Sequence, residues 1–168
     1  AQVTHRYDID ENFWHEALYW NTGNGQWEAH LGLFHVFAFN KHLVFSRRDG
    51  KIYELSGTAY SDNGDPIRSI RRCPVRPPDG KKVFIENIRP IMELGMGLQV
   101  AASAPGYDPQ LILRISWDGG RSGLDQGDIA DQISIGKIGE YDIDASFQRL
   151  GSGYAPVIEI ECSDPVPY

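Results

Sequence analysis

The sequence predicts an all-β protein: one or more partial, propeller-like blades followed by an antiparallel β-sandwich. Three observations carry that reading. Short segments alternate large apolar residues with others at a period of two. Turn clusters such as Asn21-Thr22-Gly23-Asn24-Gly25, Asp49-Gly50 and Asp62-Asn63-Gly64-Asp65-Pro66 separate them at short intervals. Helical periodicity is absent, apart from one helical turn expected within 123–132. With 168 residues, 41% hydrophobic and 11% aromatic, the chain suits one domain, or one domain with a smaller appendage.

Residues 1–56 read as the blade region. Ala17-Leu18-Tyr19-Trp20 is a short strand, and the Asn/Gly cluster at 21–25 turns it toward Gln26-Trp27. Leu33 to Phe39 alternates, Asn40-Lys41 reverses it into His42-Leu43-Val44-Phe45-Ser46, and Asp49-Gly50 favours a type I′ turn into Ile52-Tyr53-Glu54-Leu55. Phe34, Phe37, Phe39, Phe45 and Tyr53 fall at strand spacing and are expected in the core. A blade takes about 40–45 residues and a ring at least about four blades, so this region cannot close a propeller alone.

Residues 57–66 form a polar joint, and 67–168 the sandwich-like region. Ile67 to Cys73 reads as a strand, broken by Pro74, Pro77 and Pro78, which confine it to a sheet edge or loop. Lys82–Ile88 and Pro90–Leu94 suggest one long strand or two bent ones, with Gly95-Met96-Gly97 bending the chain before Leu98-Gln99-Val100. Leu111, Leu113, Ile115 and Trp117 share one strand face, and Ile112, Arg114 and Ser116 the other. That strand ends in a Ser116-x-Asp118-x-Gly120 turn, where Asp118 can accept backbone N–H groups and the glycines allow positive φ. Ile133–Ile135, Tyr141–Phe147 and Val157–Cys162 supply further strands.

A net charge of −7 opposes non-specific binding to DNA or to anionic lipid, both of which attract positive surfaces. No apolar run is long enough to cross a bilayer as a helix. The first residues have neither the apolar core of a signal peptide nor an initiator Met, which suggests a processed chain or a fragment. Cys73 and Cys162 are too few for a disulfide framework and are read as buried or half-buried free thiols.

Catalytic chemistry finds little support. Ser-x-Asp-x-Gly turns occur in sialidases, but the turn stabilises a hairpin and does not react; a glycosidase needs two opposed carboxyl groups, or a Tyr nucleophile with an arginine cluster. Arg68, Arg71, Arg72 and Arg76 share one Pro-broken segment; the first three are candidate interface or phosphate contacts, and Arg47-Arg48 reads as edge protection. His5, His15, His30, His35 and His42 show no strand-spaced pair and no neighbouring Cys, so surface or interface histidines are expected and no metal. Asp125, Asp128 and Asp131 miss the EF-hand spacing and read as a solvated acidic loop. Gly95-Met96-Gly97 and Gly151-Ser152-Gly153 lack the context of a phosphate loop or a nucleophile elbow. No enzyme and no cofactor is expected.

A family resemblance goes further. His35–Phe39 through Gly50–Leu55, Tyr60–Arg68, Met92–Gly97, Pro109–Ser122, Ile135–Tyr141, Arg149–Ser152 and Ser163–Val166 resemble, in order, the C-terminal part of the packaged-DNA stabilisation proteins of short-tailed phages, the tail hub below the portal and its adaptor. The resemblance covers most of residues 15–166. It implies a structural virion protein of the tail, assembled in the host cytoplasm: a homo-oligomeric ring, usually of six copies, that closes the portal-adaptor conduit and retains packaged genome. It further implies docking surfaces for the portal-side adaptor, the tail needle and a tail fibre or tailspike, with double-stranded DNA passing through unbound and no membrane contact. An acidic conduit wall would suit that passage. The chain departs from the family pattern at Gly123, where a Trp often anchors the turn; the departure predicts a longer or looser loop. The alternative from another class is a carbohydrate-binding or glycan-cleaving β module, with Trp14, Trp20, Trp27 and Trp117 as candidate sugar contacts.

Overall fold

The computed structural model describes residues 3–121 and 131–167. All its extended elements belong to antiparallel sheets, none closed into a barrel, and the sole helical element among the described residues is a 3-10 turn at Pro78–Gly80. The chain divides into two compact units, Ala1–Ile67 and Arg68–Tyr168.

The first unit holds two three-stranded sheets and a small hairpin. β1 (Thr4–Asp8), β2 (Phe13–Asn21) and β3 (Gln26–Ala29) form a meander, as do β4 (Gly32–Ala38), β5 (Lys41–Ser46) and β6 (Ile52–Leu55). β7 (Ser61–Asp62) and β8 (Asp65–Pro66) pair through Asn63-Gly64, so the stretch expected to be a plain joint carries a hairpin of this unit. Four strands in one sheet, the blade pattern expected over 1–56, do not occur there. The β4–β5 turn places Phe39 and Asn40 at φ 55° and 58°, the left-handed pair a type I′ turn requires.

The aromatic run expected in the core lies mostly outside it. Phe34 is 72% exposed, Phe39 89%, and Phe37 and Phe45 are exposed as well; Tyr53 alone of the five is half-buried. In the β4-β5-β6 sheet, Phe34 stands opposite Phe45 and Phe45 opposite Ile52, with Val36 opposite Leu43 on the same face. Alternation marked the strands correctly, but this unit supplies no second layer over that face. Among the described residues, Tyr19 is the only buried hydrophobic side chain of the first unit.

The second unit has a sandwich-like core. Its four-stranded sheet runs β12 (Asp131–Ser134), β11 (Gln110–Ser116), β14 (Val157–Cys162), β9 (Ser69–Pro74), and a two-stranded ribbon joins β10 (Val83–Ile88) to β13 (Phe147–Gly153). Leu111, Leu113, Ile135, Phe147, Cys162 and Val166 are buried together, with Ile88, Leu150, Ile115, Ile133, Ile158 and Ile160 packed around them. Sheet and ribbon therefore meet through these side chains, as the alternation of β11 requires. Pro74 sits on the edge strand β9, where its missing N–H is tolerated.

Several boundaries differ from the expectation. Pro90–Leu94 and Leu98–Val100 are not strands; Met92, Leu94 and Leu98 pack on the core from irregular backbone. Their apolar character closes the core without a ladder, and the backbone is satisfied by Gly95 N–H to the Ile135 carbonyl (2.8 Å) and Leu98 N–H to the Gly106 carbonyl (2.6 Å). Gly136 is obligatory in that crossing: its φ is 96°, and a Cβ would stand 2.6 Å from the Glu140 carbonyl oxygen. Of Tyr141–Phe147 only Phe147 is in a strand. Cys73 is exposed, not buried: it shares the face of Ile158, its partner in register, but stands on the edge strand β9 at the margin of the packed interior; Cys162 is buried, and both are free thiols. The helical turn expected within 123–132 lies outside the described residues except for Asp131 and Gln132, which belong to β12.

Candidate functional site

The Ser-x-Asp-x-Gly turn closes on itself. Ser116 ends β11 with its side chain buried; its hydroxyl donates to the Asp118 carboxylate (2.5 Å) and accepts the Gly120 N–H (2.9 Å). The same Asp118 oxygen accepts the Arg121 N–H at 3.0 Å, and the Gly119 N–H donates to the Ala155 carbonyl at 2.8 Å. Trp117 packs on β13, where a Cβ at Gly153 would come within 2.7 Å of its ring. Gly153 thus makes room for an indole inside a strand, while Gly151 supplies a φ of 105°. The hydroxyl is committed to holding the turn, which is a structural use of all three candidate residues.

The arginines of β9 and of the residues flanking it divide between faces. Arg68 grips Glu161 with two parallel bonds (2.6 and 2.8 Å), and Arg72 Nε donates to Glu159 at 2.5 Å. Arg114, across the sheet, bonds both Glu159 (3.0 Å) and Glu161. Arg71 pairs in register with Ile160 and is exposed, as is Arg76. The segment therefore does not gather into a phosphate-gripping cluster: Arg68 and Arg72 already face carboxylates. Glu159 is 1% exposed. Burial pushes the Glu161 carboxyl upward, but the bonds and charges of Arg68 and Arg114 outweigh it and leave its pKa below the ordinary carboxylate value. Sequence reasoning set Arg114 on the polar face of β11 but missed its partners. The available signal was Glu159 and Glu161 at a spacing of two within an otherwise apolar strand.

A polar cleft in the first unit, about 250 Å³ in volume, is lined by Ser46, Arg48, Asp49, Tyr53, Asp62 and Asp65 among others. The buried Tyr19 hydroxyl donates to Asp65 at 2.5 Å and accepts from Arg48, and Thr22 donates to the other Asp65 oxygen at 3.1 Å. These bonds hold the Asp65 carboxyl below its usual value. Burial pushes Asp62, its partner across the small hairpin, upward. Asp49, bonded by Tyr53 and Ser46, is lowered to about 2. The cleft thus sets two carboxyls in contrasting environments, yet it is smaller than the roughly 300–1,000 Å³ of ordinary small-molecule sites. Of the tryptophans, Trp14 is exposed, Trp20 and Trp27 pack edge to face at 5.0 Å, and Trp117 is half-buried under the turn.

Among the described residues no group of three His, Cys, Asp or Glu is arranged to hold a metal ion. Asp125 and Asp128 lie outside the described residues, and Asp131 caps its neighbour's N–H on β12. His35 and His42 do meet, seven residues apart across the β4–β5 hairpin, with ring nitrogens 2.9 Å apart. Their spacing along the sequence hid this, because the pair is diagonal between two strands.

The broadest feature is apolar. Phe34, Val36, Phe45 and Ile52 form one exposed face of the β4-β5-β6 sheet, and Ile9, Phe13 and Trp14 are exposed on the β1–β2 hairpin. No protein-family model matches the chain, and no curated protein matches it.

Proposed function

We propose that the chain is a non-enzymatic structural virion protein, a tail hub subunit whose copies form a closed ring on the portal-side adaptor and retain packaged DNA. The single observation that supports this is the open face of Phe34, Val36, Phe45 and Ile52. Covering such a side chain is worth about 1.5–3 kcal/mol, and a set of them left in water is the signature of a contact surface. The second unit, whose own core is filled, serves as the rigid support, with loops as docking surfaces for needle and fibre or tailspike. Six copies in the virion tail, assembled in the host cytoplasm, follow from the resemblance of Pro109–Ser122 and the other matched stretches. Native mass measurement and electron microscopy, alone and with the portal-side partner, test this: a closed ring is expected, and Phe34→Asp with Phe45→Asp should leave monomers. A chain that stays monomeric at all concentrations and with the partner overturns the reading.

A second reading rests on the polar cleft. The contrasting carboxyls of Asp62 and Asp65 beside Arg48 and Tyr53 would suit a small sugar-binding or glycan-cleaving module. A glycan array and a turnover assay on wild type and Asp62→Asn separate it from the hub reading, which requires no saturable sugar site.

A further inference from the structure

We propose that His35 and His42 form a two-nitrogen binding site for a divalent first-row transition metal of tetragonal preference, copper(II) above nickel(II). The inference is independent of the assembly reading.

The sheet register builds the pair. His35 stands opposite Val44 and His42 opposite Phe37, so the two histidines are diagonal neighbours on one face. Diagonal positions are within reach of long side chains. The rings lie 20° from parallel with centroids 5.1 Å apart, and His35 Nε2 is 2.9 Å from His42 Nδ1. Phe37, opposite His42 in register, packs against the His42 ring at 4.9 Å. Both histidines are otherwise exposed, so solvent reaches the facing nitrogens.

The ligands, not the hydrogen-bonded separation, select the metal. Two imidazole nitrogens already within 2.9 Å of each other, with water available for the other positions, suit copper(II), which nitrogen and oxygen sites bind more tightly than nickel(II) or zinc. Water completes the remaining positions. In the neutral pair one facing nitrogen carries the proton that the other accepts. For both to bind metal, that proton moves to the far nitrogen of the same ring, and each ring turns so that its lone pair points at a common centre. No net proton is released and no redox step is involved.

The test uses the full chain titrated with copper(II), by calorimetry and by electron paramagnetic resonance, on wild type, His35→Gln and His42→Gln. Both substitutions are at exposed rings, and circular dichroism confirms that the sheet is kept. The expected result is one copper per chain with a two-nitrogen signature, and at least a tenfold loss of affinity in each single variant. Copper bound equally well by either variant, a signature lost in one variant but not the other, or no binding by wild type would each overturn the proposal. His15→Gln, on the other sheet, should leave binding unchanged; a loss there also counts against it.

Discussion

The two units are made from the same kind of strand, yet they use their alternating faces in opposite ways. In the second unit β11 and β14 turn Leu111, Leu113, Ile158 and Ile160 toward a shared interior and Arg114, Glu159 and Glu161 to the other side, where the charges satisfy one another. In the first, Phe34, Phe45 and Ile52 line up as neatly across β4, β5 and β6 and remain in water. The difference teaches that alternation fixes which residues share a face, while the presence of a covering layer depends on what the rest of the chain, or another chain, brings to it.

The sharpest way to break the comparison is to empty the filled core. Phe147→Ala, at a residue with no exposed surface, should lower the unfolding free energy by about 3–5 kcal/mol in urea denaturation. A loss no larger than that of a surface change would mean the second unit does not hold itself together. Glu161→Gln should have a smaller effect, about 1.5–3 kcal/mol, through weakened bonds from Arg68 and Arg114. It also carries a pH signature. Because the folded-state pKa of Glu161 lies below its ordinary value of 4.5, its contribution is complete above that value and is lost as the pH falls through the lower folded value. Wild-type stability should therefore drop with acid below about pH 4.5 through this group, and the variant should drop less steeply. The smallest effect is expected in the first unit: Phe34→Ser, measured on dilute monomer, should shift stability by no more than about 0.5 kcal/mol. A change as large as that of Phe147→Ala would show that the open face is closed within the chain.

The legible parts of the fold were those governed by local rules. The strands at Leu111–Ser116 and Val157–Cys162, the edge placement of Pro74 and the closure of Ser116, Asp118 and Gly120 all follow from side-chain period and turn chemistry. What was not legible depends on distant chain. Met92 and Leu94 read as strand because they are apolar, but the chain beyond them is held irregular by the Gly95 N–H on the Ile135 carbonyl and the Leu98 N–H on the Gly106 carbonyl, which no window of sequence displays. The strand Phe147–Gly153 was masked by its glycines, one needed for the Trp117 ring lying against Gly153 and the other for the positive φ of Gly151. The arginines could be seen, whereas the carboxylates that occupy Arg68 and Arg72 lie 93 and 87 positions away along the chain. His35 and His42 were dismissed for want of regular spacing, although a hairpin brings them together diagonally.

The bend between β4 and β5 has its own consequence. Asparagine adopts the left-handed conformation readily, but phenylalanine does so at a penalty of roughly 1–2 kcal/mol, and Phe39 points its ring outward. Such a corner cannot be what sets the alignment of its two arms. The cross-strand partners from Phe34–Phe45 to Phe37–His42 hold that corner in place rather than the reverse, so the hairpin's register is written in its stems and its apex is the part most easily reshaped.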